Sequence, residues 1–177
     1  MVSVRARRWP LVLIALLQVG ACSSPNASST SNDADAAGAG SEVPSGAVSC
    51  TTDARVDHYA AGLSKDGKLG TLSFRLVESE PAPPSRGSNR FVLQILDQSA
   101  APADVSLHVD LKMPDHGHGT SIVPTIAFDA DAQSFAVTPL YLFMPGVWRI
   151  DFTAFTKDSD TTGTPLDSAS FFFCIEG

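Results

Sequence analysis

After residue 50 the chain is built of short apolar–polar alternations broken by proline, glycine and aspartate, and no stretch holds a helical period. The run 105–113 is the clearest. Val105, Leu107, Val109, Leu111 and Met113 take every second position and share one face of a strand, leaving His108 and Asp110 on the wetter face. Leu72, Phe74 and Leu76 mark a strand over 70–78, which Pro81, Pro83 and Pro84 end because proline cannot donate to a ladder. Phe91, Leu93 and Ile95 mark another over 90–97. Further strands are expected at 122–128, 134–138, 147–155 (Trp148, Ile150 and Phe152 on one face) and 168–175, with 55–61 a weaker candidate. About seven strands with short connections predict an all-β, immunoglobulin-like β-sandwich without internal repeats.

The first 49 residues follow another pattern. Arg5, Arg7 and Arg8 precede the apolar run 11–17, which is far below the roughly 20 residues that span a bilayer. The run closes on Val19-Gly20-Ala21-Cys22, which resembles the signal of bacterial lipoproteins. That resemblance implies a signal peptide over 1–21, cleavage before Cys22, lipidation of its thiol, and a membrane partner through the anchor. An ordinary secretory signal cut near Ala21 is the alternative. Ser23 and Ser24, with no aspartate after the cysteine, favour the outer membrane by the same likeness. Residues 22–49 hold almost nothing to bury and read as a disordered linker, which leaves 50–177 as one domain.

The whole chain carries 12 basic and 19 acidic residues, and loss of the three signal arginines leaves 9 against 19, a net −10. An acidic protein of this kind is not expected to bind nucleic acid. With Cys22 lipidated, Cys50 and Cys174 are left at the two ends of the domain; in an oxidising compartment they are expected to form a disulfide. A redox-active or metal-binding pair would need a closer spacing than theirs.

One segment carries candidate chemistry. Met113-Pro114-Asp115-His116-Gly117-His118-Gly119 holds two of the four histidines. With one residue between them, the imidazoles of an extended backbone point the same way about 6.5–7 Å apart, near enough to converge on one ion. Met113 adds a thioether, and Met144 in Phe143-Met144-Pro145-Gly146 offers a second. Imidazole with thioether suits copper, and histidine with Asp115 would suit zinc or nickel. Met113, His116, His118 and Met144 are therefore the candidate metal ligands. The competing reading is architectural: proline and two glycines make a tight crossing, His116 bonds backbone carbonyls, and both methionines belong to the core. His58 and His108 are expected to be solvated.

This loop, followed by Leu142-Phe143-Met144-Pro145-Gly146-Val147-Trp148, resembles the YtkA-like domain family, which is related to FixH. Arg75-Leu76-Val77, Pro81-Ala82-Pro83-Pro84 and Asn89 fit the same pattern, and the likeness spans roughly 69–175. It implies a small β-sandwich outside the cytoplasm. FixH relatives are associated with the assembly of copper oxidases, but this chain departs from them in having a lipid anchor in place of a transmembrane helix.

The chain has no nucleophile elbow, phosphate-cradling loop or HExxH motif, and Asp129 with Asp131 or Asp158 with Asp160 read as solvated loop tips. The expectation is a non-enzymatic, envelope-facing domain that binds copper, or alternatively docks an envelope protein without metal.

Overall fold

The computed structural model describes residues 50–159, 161 and 163–177; the expected signal peptide, Cys22 and the linker lie outside the described residues. No helix occurs among the described residues, and nine strands form two antiparallel sheets. The first sheet contains β1 (Leu63–Asp66), β2 (Leu72–Glu80), β3 (Gly87–Asp97), β6 (Thr125–Asp129) and β7 (Ser134–Leu142), in the order β1-β2-β3-β7-β6. The second contains β4 (Val105–Met113), β5 (His118–Gly119), β8 (Gly146–Thr156) and β9 (Asp167–Ile175), in the order β5-β4-β8-β9. Without β1 and β5, these orders are those of a constant-type immunoglobulin domain.

The alternating faces meet as the pattern requires. Phe74, Leu76, Phe91, Leu93 and Ile95 of the first sheet bury against Leu107, Leu111, Trp148, Ile150, Phe152 and Phe171 of the second. Along β4 the odd-numbered residues are buried, and His108 and Asp110 are exposed. Fully burying each large apolar side chain is worth about 1.5–3 kcal/mol, and this supplies the drive for the sandwich.

Three local features depart from the sequence expectation. Residues 55–61 form no strand, because Asp53 turns the chain by accepting the Arg55 N–H, and Asp57 then binds the outer edge of β9 through Phe172. Strand β7 continues past Thr138 to Leu142, although Pro139 cannot donate. The β3–β7 register shifts there, with Asn89 opposite Leu140 and Phe91 opposite Val137, so β7 holds an extra residue at a bulge. Pro139 also lies beyond the β6 pairing, which ends at Thr138. The short strands β1 and β5 were not expected at all.

Cys50 and Cys174 form the expected disulfide, with Cα atoms 5.4 Å apart. The bridge fastens the start of the described chain to the last strand.

Candidate metal centre

The loop after β4 is a tight turn. The Met113 carbonyl accepts the His116 N–H at 3.2 Å and the Gly117 N–H at 3.0 Å, and the chain returns so that His118 pairs with Met113 and Gly119 with Lys112. Gly117 takes φ +69°, a left-handed conformation that favours glycine. Gly119 serves another need, since a Cβ there would lie 2.1 Å from the Leu111 carbonyl oxygen.

His116 therefore lies in the turn and His118 in β5, so the two do not share one extended segment. The rings nevertheless meet, with centroids 5.6 Å apart at an interplanar angle of 64°. Reversal of the chain, and not strand alternation, brings them together. Both residues are exposed, and His118 Nδ1 lies a long 3.4 Å from the Gly119 carbonyl. Among the described residues no hydrogen bond engages the His116 ring, contrary to the architectural reading of that residue.

The turn between β7 and β8 closes over the same end of the sandwich. Phe143 stacks on His118 at 6.0 Å and meets Trp148 edge-on at 5.4 Å. Gly146, at φ +128°, allows a close approach: the point its Cβ would occupy is 2.9 Å from Met113 Cε and 4.0 Å from His116 Nε2. Met113 thus belongs to the core, where it is 1 % exposed, and its methyl lies close to Gly146. Met144 packs half-buried against the core, and its carbonyl accepts the Trp148 indole N–H at 2.9 Å. Met113, His116 and His118 are gathered around Gly146 and Phe143; Met144 is held at the edge of the core by the same turn.

Two imidazoles sharing one ion at metal–nitrogen bonds of about 2.0–2.1 Å would have ring centres roughly 5.2 Å apart at a tetrahedral angle, and roughly 5.5 Å at a trigonal one. The His116–His118 centroid spacing of 5.6 Å lies close to these values. Among the described residues no group of three or more His, Cys, Asp or Glu side chains gathers to hold a metal ion. A third donor must then be a thioether or a ligand from solution.

Asp115 is engaged elsewhere. Arg55 Nη1 and Nη2 donate to its two carboxylate oxygens at 2.8 Å each, and Arg55 also donates to Asp53 through Nε and Nη2. Through these hydrogen bonds the guanidinium holds Asp53 down at about 2 and lowers Asp115 below the ordinary 3.8. Asp53, Asp115, His116, Gly146 and Cys50 line one open cleft of about 420 Å³.

His108 and His58 are exposed, as expected. Asp129 closes its own turn by accepting the N–H groups of Asp131 and Ala132, and Asp160 lies outside the described residues. Sequence reasoning missed Phe143 and Gly146 as parts of the site, although both stood in the quoted motif. It also missed Arg55, which no spacing signal connects to a loop 60 residues away. Comparison with protein-family models, with curated proteins and with solved structures yields no match for this chain.

Proposed function

We propose that this chain is a cell-envelope lipoprotein whose YtkA-like sandwich binds and handles copper without catalysing a reaction. One observation carries the reading: two exposed imidazoles lie with ring centroids 5.6 Å apart, and a Cβ added at Gly146 would lie 2.9 Å from the methyl of buried Met113 and 4.0 Å from His116 Nε2. Imidazole nitrogen with thioether sulfur is a donor set that copper accepts more readily than harder cations do. His116 and His118 are the primary ligands, Met113 is the thioether beside Gly146, and Met144 is a reserve donor on the facing turn. The lipobox-like Cys22 would tether the site at the membrane surface, and a disulfide-bonded domain suits the oxidising compartment that such an anchor implies.

The test is titration of the purified chain, disulfide intact, with Cu(I), Cu(II) and Zn(II), beside a His116→Ala/His118→Ala variant. Stoichiometric copper binding that the variant loses is the expected result. Equal, weak binding by both proteins would remove the metal function and leave the loop as architecture, with docking of an envelope partner as its use.

A further inference from the structure

The one carboxylate in the histidine turn is withheld from the ligand set. Asp115 precedes His116 and lines the same cleft, so by sequence it is the carboxylate that could join the imidazoles on a divalent ion, although the three side chains do not gather for that in this fold. A two-point fork from Arg55 occupies both its oxygens, and Asp53 grips the other side of the same guanidinium. Arg55 comes from the segment just after Cys50, so a remote part of the chain sets the donor chemistry of the turn. With Asp115 engaged, the remaining donors are two imidazoles and a thioether. Cu(I) takes soft donors of this kind, whereas Zn(II) closes a four-coordinate shell that the carboxylate would help to complete.

Building on the copper reading above, we propose that Arg55 is a specificity-determining residue that makes the site selective for Cu(I) over Zn(II) by holding Asp115 away from the ion. Arg55 touches no metal itself; it acts by competition for a ligand. Its planar fork is the feature that matters, because a lysine in its place keeps the positive charge but cannot bind both carboxylate oxygens side by side.

The experiment measures Zn(II) and Cu(I) affinities, the latter against a chromophoric Cu(I) chelator, for wild type, Arg55→Lys, Arg55→Met and the Arg55→Lys/Asp115→Asn double variant. An exposed two-point ion pair is worth up to about 1 kcal/mol, so Arg55→Lys is expected to raise Zn(II) affinity about fivefold. Its Cu(I) affinity should stay within about twofold of wild type, a change of less than about 0.5 kcal/mol. Asp115→Asn in that background should erase the zinc gain. Arg55→Met separates charge from ligand release: if it alone strengthens binding, and strengthens Cu(I) and Zn(II) equally, repulsion is the cause and the inference is overturned. Cu(I) binding with zinc affinity unmoved in every Arg55 variant would also overturn it, and would leave the copper reading standing. Failure of wild type to bind either metal would overturn both.

Discussion

Asp167 is a carboxylate that is only 1 % exposed and yet charged, and the backbone around it explains how that is tolerated. Burial pushes its pKa up, but hydrogen bonds from Leu69, Leu72 and Ser168 N–H groups and from the Thr71 hydroxyl outweigh burial and hold it at about 2. The Thr71 N–H adds a further bond at 2.9 Å. The carboxylate fills the turn between β1 and β2 so tightly that a Cβ on Gly67 would fall 2.2 Å from its Cγ. Because the folded pKa lies below the ordinary 3.8, the stabilisation is complete above about pH 4 and is lost as the pH falls through 2. The shift corresponds to about 2 kcal/mol. Asp167→Asn turns an amide N–H toward groups that themselves donate, so the variant should be less stable than wild type at pH 7 by at least about 2 kcal/mol. Urea melts from pH 5 to pH 2 should show the gap closing as the wild-type carboxylate is protonated. A gap that stays constant over that range would mean the charge is not what stabilises the turn.

At the scale of the elements, β9 is an edge strand whose outer side is closed by chain that forms no strand against it. Its outward carbonyls at Ser168, Ser170 and Phe172 accept from Lys68 N–H, Lys65 Nζ and Asp57 N–H, and the Asp57 carboxylate takes the Phe172 N–H at 2.8 Å. An ion pair between Lys65 and Asp57 at 2.6 Å ties these contacts together. Covering an edge in this way blocks its use as a template for another strand. Asp57→Ala should therefore speed amide exchange at Phe172, which loses its acceptor, and leave Phe171, which faces β8, unchanged; the stability cost should be about 0.5–1.5 kcal/mol. If Phe172 stays protected in the variant, the backbone alone closes the edge. Features of this sort lie beyond sequence reading for a physical reason. The seven main strands were legible because burial on one face imposes a period of two, and β4 shows that period without a fault. Asp57, Arg55 and the bulge at Pro139 owe their places to partners far along the chain, and no local periodicity encodes them. In the candidate site, the residue types of the loop were legible, but its geometry was not. His116 and His118 converge through a turn that Gly117 and Gly119 permit, and Met113 serves the core and the loop together.

Across the whole molecule, the disulfide brings the remote segment 50–57 to the end of the sandwich where the histidine turn sits. Cys174 lies opposite Val147 in the β8–β9 ladder, and Cys50 lines the same cleft as His116 and Asp115. The bridge spans 124 residues, and in the chain-entropy model a loop of that size removes about 5 kcal/mol of unfolded-state entropy, of which real bridges deliver roughly 2–4. The sheets do not depend on it for their packing, because the core cluster runs through Phe74, Leu93, Trp148, Ile150 and Phe171 without either cysteine. A Cys50→Ser/Cys174→Ser variant should accordingly fold to the same β-rich spectrum while its urea midpoint falls, with a loss of about 2–4 kcal/mol. Its effect on the metal loop should be selective. Freed at its end, the segment carrying Asp53 and Arg55 would hold Asp115 less firmly, so zinc affinity should rise toward that of Arg55→Lys while Cu(I) binding changes little. A variant that loses stability but keeps the wild-type preference for Cu(I) would show that the Asp57–Phe172 pair and the Arg55 fork hold the segment in place without the bridge.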